Sequence, residues 1–162
     1  MGSTVAAWLL AIPLLGVATG ARSMTPIAVV CWFAHLGLLP VGGTWAFWTA
    51  NLASVIIFSV LALGEYIGDK LPRTPNRTAP GPLAARIVFG GLVGAIVATS
   101  LGDSNMEGVV LGVIGAIIGA FGGYHVRKFI VENKRCRDWP VAILEDFCVI
   151  LVTVFALRLA TT

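Results

Sequence analysis

The sequence predicts an all-α membrane protein, a polytopic bundle of about six transmembrane helices formed by one domain, residues 1–162. Apolar residues make up 57% of the chain, charged residues make up 12%, and the mean hydropathy is +0.91. A soluble domain carries about 25% charged residues, so this chain lacks the polar surface that contact with water on all sides requires. The basic residues form short clusters between apolar runs, which favours membrane loops over a nucleic-acid-binding surface.

Six apolar runs are candidates for membrane spans, since a transmembrane helix needs about 20 mainly apolar residues. The runs cover residues 4–21, 25–40, 45–67, 83–102, 106–130 and 140–160. Because the first two are short, they form either two full spans, which we favour, or a re-entrant pair shielded by the surrounding protein. The first run has no basic residue before it, so we interpret it as a retained span and not as a signal peptide.

The distribution of basic residues predicts the orientation of these spans. In a six-span topology, ten of the eleven Lys and Arg residues lie on one side, and Arg158 is the exception. The positive-inside rule makes that side cytoplasmic, so both termini face outward. We expect the basic loops to contact anionic lipid head groups. Six helices can also divide three and three around residues 68–82, as inverted halves of the kind common in transporters, although the halves share no sequence similarity.

Small residues recur at every fourth position in two of the predicted spans. The glycines of this pattern are Gly90, Gly94 and Gly102 in the fourth span, and Gly115, Gly119 and Gly123 in the fifth. Small residues at this spacing let two helix backbones approach closely. They predict packing between these two spans or, alternatively, an interface between copies in a homo-oligomer or a sliding surface for a moving helix.

Carboxylates inside the predicted spans are the first candidate site, because ionisable groups are costly in a membrane. Glu65 and Asp69 are four residues apart and share one face of the third helix, with Lys70 following. Glu145 and Asp146 lie inside the sixth span, measured from the same side of the membrane. These residues predict a cluster suited to a cation or a proton, since neighbouring carboxylates raise one another's pKa.

A second candidate site lies at the break between the first two spans. Arg22 and Ser23 occupy this break, and the free N–H groups of the following helix start would add to an anion-binding cradle. The alternative is structural: Arg22 or Lys70 pairs with Glu65 or Asp69 in internal salt bridges. The sequence leaves these interpretations open.

Motifs for enzymatic, metal or cofactor chemistry are missing from the sequence. There is no Ser-His-Asp arrangement, no HExxH, no P-loop and no dinucleotide-binding fingerprint in its proper context. Cys31, Cys136 and Cys148 form no CxxC pair, and His35 and His125 have no partner at ligand spacing. We therefore predict neither an enzyme nor a metal site or cofactor.

Two motifs resemble those of a known family. They are GARSMTP at residues 20–26 and EYIGDKLP at residues 65–72, and Arg86 precedes the glycine-rich spans. Together they resemble a bacterial family of uncharacterised membrane proteins, domain-of-unknown-function family 4126. The resemblance covers most of the chain and implies a small multi-pass protein of the bacterial inner membrane, with no established activity. It also implies that Arg22, Glu65, Asp69 and Lys70 belong to one unit.

Our leading hypothesis for function is a small transporter-like or channel-like protein that acts as a homo-oligomer, because several charged residues gather inside the spans. An ion or small solute would pass through a polar site that opens to the cytoplasm and is lined by Arg22, Glu65 and Asp69. One alternative is a scaffold protein in which the same charges are structural salt bridges. The other is a lipid-handling protein that uses Arg22 and the basic loops to bind lipid phosphates.

Overall fold

The computed structural model describes residues 2–68, 79–134 and 138–161, and it describes their side chains except at 2–6, 131–134 and 138–139. All regular secondary structure in these residues is helical. The elements are α1 (Gly2–Ala21), α2 (Met24–His35), a 3-10 helix (Trp45–Ala50), α3 (Leu52–Gly68), α4 (Pro80–Leu101), α5 (Asn105–Lys134) and α6 (Asp138–Thr161). The predicted all-α class is confirmed.

Within the described residues, three helices are long and apolar enough to cross a bilayer. They contain the segments Pro80–Leu101, Asn105–Ile130 and Pro140–Thr161, while the apolar parts of α1, α2 and α3 are shorter. Large apolar side chains are exposed along α3, α5 and α6, including Ile57, Val60, Phe121, Phe129, Phe147 and Phe155. A helix that exposes such a face needs a hydrocarbon environment, so the structure indicates a helical membrane protein.

The helix boundaries differ from the predicted runs around residues 36–51. α2 ends at His35, so its 12 residues rise about 18 Å, which is less than the roughly 30 Å of a bilayer's hydrocarbon core. Gly37 and Gly43 then adopt φ of 72° and 77°, a region that glycine enters without steric cost. The chain folds over one end of the bundle and buries Leu39 and Val41.

Contacts between helices show that the chain alternates in direction. Thr25 meets Tyr66 at one end of the α2–α3 pair, and His35 meets the Ala50 carbonyl at the other, so these helices are antiparallel. α4 and α5 are also antiparallel, whereas α1 runs parallel to α5. The end of α1, the start of α2 and the end of α3 therefore meet at one end of the bundle, which we call the Arg22 end.

Glycines lie where α5 approaches its two neighbours most closely. A Cβ added to Gly16 of α1 would lie 2.9 Å from the Gly115 Cα, and one added to Gly90 of α4 would lie 2.6 Å from the Ala116 Cβ. Gly94 and Gly119 likewise face backbone atoms of the adjoining helix. α5 thus packs against α1 on one side and against α4 on another, so α1 and not α4 contacts Gly115 and Gly119.

Gly102 is not the helix-packing residue that the four-residue spacing predicted. It ends α4 with φ of 78°, and a Cβ added to it would meet nothing within 4 Å. Its backbone N–H donates to the carbonyls of Ala98 and Thr99. Gly102 thus caps the C-terminus of α4 in the left-handed backbone conformation, for which glycine is the usual residue. Spacing alone does not distinguish such a cap from a packing position.

Candidate functional site

The break between α1 and α2 contains only Arg22 and Ser23. The Arg22 N–H still donates to the Ala18 carbonyl at 2.9 Å, and Ser23 has helical backbone angles with no side-chain cap to α2. The last carbonyls of α1 and the first N–H groups of α2 therefore need partners from elsewhere in the protein, because a helix end leaves these groups without intrahelical bonds.

Glu65, near the end of α3, provides the partner for the start of α2. Its two carboxylate oxygens accept hydrogen bonds from the backbone N–H groups of Ser23 and Met24, each at 2.9 Å. A negative charge is favourable at a helix N-terminus because it faces the positive end of the helix dipole. Glu65 thus caps α2 from a different helix, in place of the local Ser23 side chain.

Arg86, in the second turn of α4, provides the partner for the end of α1. Its Nη1 donates to the carbonyl oxygens of Gly20 and Ala21, the second at 2.8 Å, and its side chain is buried. A positive charge complements the negative end of the α1 dipole. The two halves of the helix break are therefore capped by residues of opposite charge.

Arg22 itself is fully buried and points towards α6. Its Nε lies 2.6 Å from Asp146 Oδ1, and the exposed fractions of the two side chains are 0% and 13%. The Arg22 guanidinium also lies over the Tyr66 ring, 5.7 Å from its centroid, and the Tyr66 hydroxyl hydrogen-bonds to Thr25 Oγ1 at 2.8 Å. The ring supplies an attractive face for the cation.

Together, Arg22, Glu65, Arg86 and Asp146 form what we call the break cluster. Two of its members are basic and two are acidic, so the cluster is neutral overall when all four are ionised. Each member comes from a different place, namely the break, α3, α4 and α6. The arrangement joins four parts of the bundle through buried polar contacts.

The structure brings some of the residues predicted for a site together and places others apart. Arg22, Glu65 and Asp146 come together, and Ser23 contributes its backbone N–H. Among the described residues, Arg22 contacts Asp146 and Glu65 binds the backbone, while the salt bridges proposed with Asp69 or Lys70 involve residues outside the described ones. The α2 N–H groups that an anion would use are occupied by Glu65.

Glu145 lies apart from the break cluster although it precedes Asp146 in the chain. Its Oε2 is 3.9 Å from Arg127 Nη1 of α5. Successive residues of a helix point about 100° apart, because a turn takes 3.6 residues, so neighbours in sequence face different surroundings. Asp69 and Lys70 lie outside the described residues.

Arg86 and Tyr66 were not predicted as site residues. Arg86 stands inside an otherwise apolar predicted span, which marks an ionisable residue as a candidate. However, a basic residue near the end of a span is also the usual topology signal. Tyr66 follows Glu65 in the EYIGDKLP motif, and no spacing rule connects it to Arg22. Only the packing of α2 against α3 reveals that contact.

Among the described residues, no group of three or more His, Cys, Asp and Glu side chains lies close enough together to hold a metal ion. His35 Nδ1 contacts the Ala50 carbonyl, and His125 Nδ1 contacts the Phe121 carbonyl. Cys31 is buried and Cys148 is exposed.

Comparison with known proteins gives one family. A sequence model described as "Domain of unknown function (DUF4126)" matches residues 9–161. Neither the curated proteins nor the solved structures contain a match to the chain.

Proposed function

This chain belongs to the DUF4126 family, and we propose that it is a transporter-like or channel-like membrane protein that moves an ion or small solute through the break cluster. The observation that carries the proposal is the position of Arg22. It is fully buried at a helix break and lies 2.6 Å from Asp146. A fully buried ionisable group in a helical membrane protein is a candidate for a binding or transport site.

The cost of burying charge favours a function over a purely structural role. Moving each ion out of water costs several kcal/mol, and apolar residues of similar volume often replace a buried ion pair without loss of stability. A helix bundle can therefore hold together without four ionisable groups in its interior. Ionisable groups that are kept inside membrane spans mark transport pathways and proton relays in many proteins.

The packing of α2 and α3 supports a moving part next to the cluster. α3 packs mainly against α2 and the 3-10 helix, so the α2–α3 hairpin joins the rest of the bundle chiefly through α2. Only Arg22 and Ser23 connect this hairpin to α1. A rotation at these two residues would open the Arg22–Asp146 contact.

A mechanism follows from the charges. In the closed state, Arg22 forms an ion pair with Asp146. The guanidinium then takes the place beside the carboxylate that a transported cation would need. A transported cation or proton competes with Arg22 for Asp146, and binding of the cation releases Arg22 and the hairpin that follows it. Opposite charges in a buried site interact strongly, so the cation must bind Asp146 strongly enough to replace Arg22.

The membrane topology is part of this proposal. We propose six passes with the basic loops in the cytoplasm of a bacterial inner membrane, supported by the alternating helix directions and by the basic loops. Since α2 rises only about 18 Å, the residues between α2 and the 3-10 helix complete that pass. We also propose a homo-oligomer with glycine-lined helix contacts. The inverted-halves arrangement gains no support from helix length, since it would equate α2, of 12 residues, with α5, of 30.

A second candidate function is that of a scaffold, and a specific observation favours it. Both Glu65 oxygens and the Arg86 guanidinium bind backbone groups at the break. These contacts complete the hydrogen bonding of two helix ends, which is a structural role. Under this alternative, charge at the cluster is needed for folding and the protein moves no ion.

The experiment is a flux measurement in proteoliposomes. The full chain is reconstituted with an entrapped dye selective for the cation under test, and gradients of H⁺, Na⁺ and K⁺ are imposed in turn. We expect the wild type to dissipate one gradient faster than empty liposomes, and Asp146→Asn to slow this by at least about tenfold, corresponding to about 1.4 kcal/mol or more. Asp103→Asn is the matched control, because Asp103 follows α4 at the other end of the bundle.

The result that opposes transport is equally definite. If wild-type flux equals that of empty liposomes for all three cations, or if Asp146→Asn retains wild-type flux, the break cluster is not a pathway. Size-exclusion chromatography in detergent checks that each variant is folded, and Asp146→Glu serves as a charge-conserving variant if Asp146→Asn does not fold.

A further inference from the structure

A narrow groove opens between α5 and α6, and α1 forms its floor. Its volume is about 430 Å³, and nearly all of its lining is apolar. Val17, Ala18 and Ala21 belong to the floor, while the walls are the faces of α5 from Ile118 to Ile130 and of α6 from Val141 to Val152. The polar side chains in the lining are Arg127 and Glu145. The groove is thus a long apolar channel with charged groups in one part of its wall.

We propose that this groove binds one acyl chain of an anionic phospholipid from the surrounding bilayer, with the lipid phosphate at Arg127. The proposal concerns a site separate from the break cluster. Asp146 contacts Arg22, whereas the adjacent Glu145 faces the groove.

The dimensions of the groove fit a hydrocarbon chain. The α5 wall from Ile118 to Ile130 rises about 18 Å, and the space beside it holds about 430 Å³. A long apolar space of this kind suits a single extended hydrocarbon chain. A helix with its side chains is about 10–12 Å across, so a helix from a second copy would lie over the groove and not inside it.

The charge of the sequence next to Arg127 favours an anionic head group. Residues 127–145 contain five basic residues and three acidic ones, an excess of two positive charges in the sequence, and in the groove Arg127 lies 3.9 Å from Glu145, with which a phosphate would share the guanidinium. Basic residues immediately next to membrane spans attract anionic lipids, and a guanidinium binds phosphate oxygens in a fixed, directional geometry. An acyl chain seated in the groove would bring its own phosphate towards Arg127.

Gly122 offers a way to fill the groove without disturbing the helix packing. It lines the groove, and a Cβ added to it would meet nothing within 4 Å. A leucine at this position therefore projects into the space that the acyl chain would occupy. Gly64 of α3 is the matched control, because it is exposed, is equally open to an added Cβ and lies outside the groove lining.

The test is native mass spectrometry of the detergent-purified full chain with phosphatidylglycerol or phosphatidylcholine of identical acyl chains. We expect one phosphatidylglycerol per chain, bound more tightly than phosphatidylcholine. Gly122→Leu should weaken this binding about tenfold, the effect of excluding about two buried methylenes, while Gly64→Leu should bind as the wild type does. Arg127→Gln should remove the preference for phosphatidylglycerol over phosphatidylcholine.

Three outcomes would overturn the proposal. Equal binding of the two lipids by the wild type excludes the head-group site. Unchanged phosphatidylglycerol binding by Gly122→Leu excludes the groove. A wild-type dimer that Gly122→Leu, but not Gly64→Leu, converts to a monomer in the absence of added lipid assigns the groove to a second copy of the chain.

Discussion

Arg22 Nε and Asp146 Oδ1 lie 2.6 Å apart, and this ion pair joins the α1–α2 break to α6. The contact places a fully buried guanidinium beside a carboxylate from the opposite end of the sequence. In a low-dielectric interior neither group is tolerated alone, so the pair defines how α2 is held against α6.

Removing one partner of this pair should destabilise the protein severely. Asp146→Ala removes the Asp146 carboxylate from beside the buried Arg22 guanidinium, and we expect a loss of about 3–5 kcal/mol in the free energy of unfolding. The measurement is equilibrium unfolding in detergent, with Asp103→Ala as the control. In the double variant Arg22→Met/Asp146→Leu, most of this loss should be recovered, since neither charge remains to be buried. A double variant no more stable than Asp146→Ala would contradict this.

Replacing Glu65 by Gln should weaken the cap on α2. The glutamine amide has one oxygen acceptor where the carboxylate has two, so one of the Ser23 and Met24 N–H groups loses its partner. We expect a loss of about 1–3 kcal/mol in unfolding free energy, measured by the same unfolding assay. Glu107→Gln, in the first turn of α5, is the control for the general effect of losing a carboxylate.

The flux experiment gives Glu65→Gln a second readout. If the break cluster is a transport site, this variant should lower flux in proteoliposomes beyond what its reduced stability explains at a temperature where it remains folded. Full wild-type flux in a folded Glu65→Gln variant would leave only the capping role.

Two glycines on α5 should respond to alanine in opposite ways. A Cβ at Gly119 would lie 2.8 Å from the Val17 Cα, so Gly119→Ala forces α1 and α5 apart and should cost about 1–3 kcal/mol. Gly122→Ala meets no atom within 4 Å and should be neutral or stabilise the helix by up to about 1 kcal/mol. Melting temperatures in detergent distinguish the two, and an equal effect of both substitutions would refute close α1–α5 packing.

Orientation can be checked with a reporter fused after Thr162. With six passes and cytoplasmic basic loops, the C-terminus lies on the outer side, because α6 runs away from the Arg22 end. We expect activity from a reporter that works only outside the cytoplasm and none from one that works only inside. A second fusion within residues 69–78, in the basic loop between α3 and α4, should give the reverse pattern.

The pattern of apolar residues was sufficient to predict the class of protein and most helix positions. Long apolar runs fix α4, α5 and α6 because crossing a bilayer requires about 20 apolar residues irrespective of tertiary contacts. The same reasoning extended the second run to residue 40, five residues beyond the end of α2 at His35. Leu38, Leu39 and Val41 are apolar in sequence, but they serve a loop that packs on the bundle, which hydropathy does not distinguish from a span.

For the candidate site, the sequence identified most of the residues that take part, but it did not predict which groups these residues contact. Arg22, Glu65 and Asp146 stand out because charged residues are rare inside spans. That Asp146 and not Glu145 meets Arg22 depends on the rotation of α6 about its axis. That Arg86 caps α1 depends on how α4 lies against it.

The sequence by itself determined a membrane-embedded helical chain with a few buried charges, because the cost of placing polar groups in hydrocarbon acts on each segment separately. Only the tertiary structure decided that Glu65 and Arg86 bind the free backbone groups at the two helix ends of the α1–α2 break. It also decided that Arg22 contacts Asp146. These contacts join residues far apart in the chain, so their geometry follows from helix packing, which the glycines of α1, α4 and α5 permit at close range.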